Sequence, residues 1–121
     1  MLTVIMATRN GASTLPRVLE AYRGLTAPPQ GWRLLVVDNG STDPTRAILD
    51  SHAARLPMCC LHEARPGKNV ALNRALAHAL ERDEPDGGLF VFTDDDATPA
   101  PDWLLRLAET CLLYTSPSPR D

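Results

Sequence analysis

A chain of 121 residues, 44% hydrophobic and 22% charged, has the makings of one small domain with one core and is too short for two. Its net charge of -3, with no run of Lys and Arg, argues against nucleic acid or an anionic membrane surface as partner. Any anionic ligand would need local help from backbone amides, a few basic side chains or a cation held by carboxylates. Three cysteines, with Cys59 and Cys60 adjacent, argue against a secreted disulfide framework, and no stretch approaches the roughly 20 apolar residues of a membrane span. A cytoplasmic setting is expected, with membrane association, at the inner face, only through regions outside this chain.

Leu2-Thr3-Val4-Ile5-Met6-Ala7 is a nearly continuous apolar run, the pattern of a strand buried on both faces of a parallel sheet. After Asn10-Gly11, residues Leu15, Val18, Leu19, Tyr22 and Leu25 recur at helical spacing, with Ser13 or Thr14 as cap and Pro16 tolerated in the first turn. The turn-forming segment 27–31 ends that helix, and Arg33 to Val37 reads as a second buried strand. A polar loop from Asp38 follows, with Asp43 as cap and Pro44 at the first helical position of a helix to about Leu56. Met58 to Leu61 reads as a short third strand that includes both adjacent cysteines.

Beyond Pro66-Gly67, an apolar stripe of Leu72, Ala75, Leu76, Ala79 and Leu80 predicts a helix that Pro85 and Gly87-Gly88 end. Leu89 to Phe92 reads as a further buried strand, running directly into Thr93-Asp94-Asp95-Asp96. Pro99 to Leu107 holds a short helix beginning near Asp102, with Trp103 packed under the acidic loop. Residues 111–121 abandon the pattern. Their two Ser-Pro steps break helices and central strands, and the stretch reads either as translated adapter sequence foreign to the natural protein or as a disordered terminus. The domain is therefore expected to cover 1–110.

Strands alternating with helices predict an α/β fold: three α/β/α layers, Rossmann-like, with a mostly parallel sheet, here truncated. Ligands of such sheets sit beyond the carboxyl ends of the strands. Asn10, Asp38 and Asp94 to Asp96 all lie at such ends and are expected to converge. Three consecutive carboxylates repel one another unless something positive lies among them. A hard divalent cation, Mg²⁺ or Mn²⁺, is the simplest answer, bound by one or two carboxylates and completed by diphosphate oxygens and water. The alternative is that these acids only cap the next element or face solvent. Asp38 invites the same choice between a contact to a base or ribose and a plain turn.

Together the segments Val4 to Asn10, Val36 to Asp43, Gly67 to Asn73, Phe92 to Asp96 and Pro101 to Leu104 resemble glycosyltransferase family 2, whose catalytic domains have the GT-A fold. The resemblance implies that Thr8 and Asn10 line the base pocket, that Asp38 meets the uracil or other base, and that Asp94 and Asp96 are the acids of the DxD motif. Asp94 would contact ribose or metal, Asp96 would be the direct metal ligand, and Asp95 fills the variable place between them. Lys68 or Arg74 would reach the diphosphate, unless either is only solvated helix surface. Asn39 stands where many members have a second acid, and Ala7 and Arg9 replace a usual proline and aromatic.

The implied reaction transfers a sugar from a nucleotide-diphosphate-sugar, a UDP-sugar foremost, to a saccharide or lipid-linked acceptor, with inversion. Its general base lies beyond the DxD motif in the family. Only Glu109 and Asp121 follow Trp103 here, so this chain is expected to carry the donor-binding half and no catalytic base. His52, His62 and His78 lack metal-ligand spacing. Two other classes compete. A nucleotidyltransferase would show a glycine-rich basic loop after the first strand, of which residues 7–11 are a faint version. A Mg-binding receiver-like domain would show paired acids there, and this sequence has none.

Overall fold

A computed structural model of the chain describes residues 2–81 and 89–115. Four strands, β1 (Leu2–Thr8), β2 (Trp32–Asp38), β3 (Met58–His62) and β4 (Leu89–Thr93), form one parallel sheet in the order β3-β2-β1-β4. Among the described residues four helices, α1 (Leu15–Arg23), α2 (Thr45–Ala53), α3 (Lys68–Glu81) and α4 (Trp103–Thr115), alternate with them. No described helix is long and apolar enough to cross a membrane.

The sheet has a core on each face, which is why β1 and β2 read as continuous apolar runs. On one face Leu2, Val4, Met6, Leu34 and Val36 pack with Leu15, Val18, Leu19 and Tyr22 of α1, Leu49 of α2 and Leu104 of α4. Trp103 adds a ring edge-on to Tyr22, with centroids 6.2 Å apart. On the other face Ile5, Leu35 and Val37 meet Ala71, Ala75 and Ala79 of α3. These three fully buried alanines, spaced one turn apart, let α3 lie close to the strands; Leu72 and Leu76 flank them partly buried. The three-layer α/β/α architecture is as expected, and all four strands are parallel.

Several local expectations change. β4 is not buried on both faces: among the described residues its one strand neighbour is β1, and Phe92 remains 53% exposed on the face that carries α3. α2 stops at Ala53, short of Leu56, and Pro44 takes the cap position while Asp43 still binds the Thr45 N–H at 3.0 Å. Thr14 caps α1 without a side-chain bond to the helix. α4 runs past Leu107 to Thr115, so the first residues of the segment 111–121 continue a helix. The Pro85 and Gly87-Gly88 stop and the Ser-Pro steps lie outside the described residues.

The tight α3 contact yields a test. Ala75→Leu should cost about 1–3 kcal/mol, because the three heavy atoms that leucine adds must displace α3 from the sheet. Urea denaturation measures it, and a neutral result would mean that α3 is not held against Ile5 and Leu35.

Candidate functional site

Strand register builds the site. Thr8 of β1 is aligned with Asp38 of β2, Asp38 with His62 of β3, and Met6 with Thr93 of β4, so the carboxyl ends of all four strands open on one rim. The acids after β4 therefore come to the end of β1. The Thr8 hydroxyl donates to Asp95 Oδ2 at 2.7 Å, and the Thr14 hydroxyl donates to the Asp95 carbonyl at 3.2 Å. Thr14 thus serves the acid loop in place of its helix. Gly11 makes the first bond possible, since a Cβ there would collide with Thr8 Oγ1 and press on Asp95 and Leu15.

A second group of bonds joins the β1 and β2 ends. Asn10 takes a left-handed backbone, φ 53°, which its short polar side chain tolerates. Its Oδ1 accepts the Thr42 N–H at 2.8 Å and its own N–H donates to Ser41 Oγ at 2.9 Å. The Gly11 N–H donates to Thr45 Oγ1, and the Ala12 N–H to Asp43. The Thr45 hydroxyl, followed by the Thr45 and Ala12 amides, holds the Asp43 carboxyl below the usual carboxylate range. Asp38 is buried, at 4% exposure; its Oδ1 accepts the Ser41 N–H at 3.1 Å, and its Oδ2 lies 3.9 Å from His62 Nδ1.

The third group answers the charge problem. Lys68, the first residue of α3, places Nζ 2.7 Å from Asp94 Oδ1. Asp94 in turn raises the Lys68 pKa. The three acids are thus parted: Asp94 faces Lys68, Asp95 accepts the Thr8 hydroxyl, and Asp96 is exposed and takes no hydrogen bond or ion pair among the described residues. A lysine supplies part of the positive charge that the acids require.

Between these groups lies a cavity of about 340 Å³ lined by Ala7, Thr8, Arg9, Asn39, Gly67, Lys68, Asp94 and Asp95. Thr8, Lys68 and Asp94 therefore gather at one opening. Asn10 and Asp38 are tied to the β2–α2 loop beside it, and Asp96, next to Asp95 in sequence, does not line it. Arg74 is elsewhere, with Arg65, Asn73 and His78 around a cavity on the flank of α3. A third, mostly apolar cavity lies at Pro29, Gln30, Leu105 and Ala108, next to the loop that enters β2, remote from the acids.

Ala7, Arg9 and Asn39 line the opening although the sequence marks them only as departures from the family pattern. The Asn39 side chain binds the loop ahead of α3. Gly67 supplies a positive φ at the helix entry. Asp95, assigned the variable place, is the acid bonded to the central strand. In the same loop Glu63 accepts the Arg65 guanidinium and N–H, and Arg65 holds its carboxyl down to about 2.

The donor set suits a hard cation in one particular way. Among the described residues no three His, Cys, Asp or Glu side chains gather as a ready cage. Asp94 and Asp96 are accessible carboxylates on one short loop, the number that suffices when the remaining positions are filled by phosphate oxygens and water.

A parallel α/β sheet with acids and a lysine at its carboxyl rim places the candidate site where sheets of this class bind their ligands. The chain belongs to glycosyl transferase family 2, whose family model matches residues 3–111. It is 32% identical over 99 residues to the succinoglycan biosynthesis protein ExoM of Rhizobium meliloti, covering 78% of this chain and 31% of that one. It is 27% identical over 111 residues to the glycosyltransferase AglE of Haloferax volcanii, covering 90% and 34%. Among solved structures, the mannosyltransferase PcManGT of Pyrobaculum calidifontis, in complex with GDP-Man and Mn²⁺, superposes with a TM-score of 0.77 at 34% identity, over 94% of this chain and 32% of that one. TarS of S. aureus, in complex with UDP, shares the fold with a TM-score of 0.76 at 23% identity, over 92% and 31%. The fold is that of the GT-A glycosyltransferases. The chain spans about a third of the length of the relatives it matches.

Two outcomes follow from this geometry. Gly11→Ala should destabilise by about 1–3 kcal/mol in urea denaturation, and much of that cost should vanish in a Thr8→Ala background, where the colliding hydroxyl is gone; equal costs in both backgrounds would refute the crowding. Glu63, held near 2, should titrate upward toward 4.5 in Arg65→Met when followed by carboxyl NMR. Because its folded pKa is depressed, the stability it contributes is complete above about pH 4.5 and is lost as the pH falls toward 2.

Proposed function

We propose that this chain is the donor-binding half of a metal-dependent, inverting glycosyltransferase that takes its sugar from a nucleotide-diphosphate-sugar. The observation that carries this reading is the meeting of Lys68 Nζ with Asp94 Oδ1 at 2.7 Å beside the strand-end cavity, where a cationic group and accessible acids flank one opening. Lys68 would turn from Asp94 to the donor diphosphate. Asp38, buried and preset by the Ser41 amide, would face the base, with Thr8 and Asn10 framing that side. Asp94 and Asp96 would hold Mg²⁺ or Mn²⁺. The cation, when bound, supplies Lewis-acid neutralisation of charge growing on the departing diphosphate.

The chain's own contribution to transfer is orientation. Thr8 and Thr14 fix the acid loop, and the loops after β1 and β2 fix the base side, so the sugar's anomeric carbon would be presented toward an acceptor from one face only. Displacement from the opposite side to the leaving diphosphate inverts that carbon, with a general base drawn from outside this chain. The acceptor would be a saccharide or lipid-linked hydroxyl. PcManGT, with GDP-Man and Mn²⁺, and TarS, with UDP, support a nucleotide-sugar donor without choosing its base; a UDP-sugar is the donor proposed.

Calorimetry of UDP binding with and without MnCl₂ tests the reading, with GDP as comparison. Affinity in roughly the micromolar-to-millimolar range is expected, and it should depend on Mn²⁺. Asp96→Asn should weaken the Mn²⁺-dependent part by at least about tenfold, a difference of ~1.4 kcal/mol. Unchanged affinity in that variant would remove Asp96 from the metal site.

A further inference from the structure

We infer that Asn39 is a positioning residue that fastens the loop between β3 and α3 and so presets Lys68 for the diphosphate; the inference rests on the donor-site reading given above. Asn39 directly follows β2 and is buried. Its main chain is fixed to the central strand by donation from its N–H to the Thr8 carbonyl at 2.8 Å. Its side chain then reaches into the loop three times. Nδ2 donates to the Glu63 carbonyl at 2.9 Å and to the Arg65 carbonyl at 2.7 Å, while Oδ1 accepts the Gly67 N–H at 3.2 Å.

Residues 63, 65 and 67 are thereby held by a single amide with both donors used. The two carbonyls and one N–H also settle which way the amide faces. Other bonds do not replace this anchor. The Glu63 N–H donates to the Asp38 carbonyl, which secures only the start of the loop, and the Glu63–Arg65 pair is internal to it. Gly67 is the hinge of the arrangement. Its φ of 123° is a conformation that other residues rarely adopt, its N–H is held by Asn39, and its carbonyl accepts the Ala71 N–H of the first turn of α3. Lys68 is the next residue, so a displaced Gly67 carries the lysine away from Asp94.

The partners this chain offers, two carbonyls and one N–H, require an amide at position 39. A carboxylate of the same shape offers no donor and would set its charge against two carbonyl oxygens. Asn39→Asp therefore changes the clamp with almost no change of volume. Added negative charge beside the cavity would also repel a diphosphate directly, and a double-mutant cycle separates the two effects. If Asn39 acts through Lys68, the loss caused by Asn39→Asp largely disappears once Lys68 is gone; a direct charge effect persists.

The experiment compares wild type, Asn39→Asp, Lys68→Met and the double variant, reading hydrogen exchange at the Gly67 amide and UDP affinity with MnCl₂, with circular dichroism as the check on folding. Asn39→Asp is expected to speed Gly67 exchange by at least about tenfold. It should also weaken UDP binding about as much as Lys68→Met, with little further loss in the double variant. Unchanged Gly67 exchange, or affinity losses that add in full, overturns the inference. Should Asn39→Asp fail to fold, Asn39→Ser, which shortens the side chain without adding charge, takes its place with the same expectations. Wild-type chain that binds no UDP in the presence of Mn²⁺ overturns the donor-site reading and the inference with it, and the Gly67 exchange result then shows separately whether the clamp exists.

Discussion

Everything at this rim depends on the register of β1 between its neighbours. Parallel strands stand about 4.8 Å apart, so a register that pairs Thr8 with Asp38 and Met6 with Thr93 sets the distances among groups far apart in sequence. The bond from Thr8 to Asp95 spans 87 positions, yet it only joins the end of β1 to the loop that leaves its neighbour β4. Its existence needs the absence of a side chain at Gly11. A slip of one residue would turn Thr8 to the other face and leave Asp95 without its donor. Two packed faces oppose such a slip, because Val4 and Met6 belong to one core and Ile5 to the other.

The same alternation explains what the amino-acid order reveals. β1 and β2 stand out because both faces are covered, which removes polar residues from the run. α3 stands out by its alanines. What escapes is anything decided by a distant partner. Asn39 reads as a turn residue and a family departure, since its three partners lie at 63, 65 and 67, in a loop with no pattern of its own. Thr14 reads as a helix cap, but the Asp95 carbonyl is the stronger claim on its hydroxyl. Phe92 reads as buried because β4 is apolar throughout, while burial depends on a covering layer that composition does not report. Arg74 and Lys68 are equivalent in sequence terms. Only the helix entry puts one at the acids and turns the other toward the flank.

The two sides of the site differ in how firmly they are held, and the difference follows from burial. Asp38 and Asn39 are buried, Asp38 held through Oδ1 by the Ser41 amide and Asn39 by two carbonyls and one N–H, so their positions are set before any ligand arrives. That suits recognition of a neutral, planar group, where misplacement by an ångström forfeits directional hydrogen bonds. Lys68 and Asp94 expose 61% and 62% of their side chains, and an ion pair so exposed contributes only about 0–1 kcal/mol. The diphosphate and cation proposed above would offer each of them a stronger partner and separate them at little cost. On that reading the pair is a resting arrangement: it restrains Lys68 and moderates repulsion among the acids, yet it is weak enough to yield. A buried pair in the same place would resist such exchange, since separating it would strand a desolvated charge. On the proposed reading, exposure at the phosphate side and burial at the base side are two requirements of one ligand, and Asn39 links them by joining the end of β2 to the loop that enters α3.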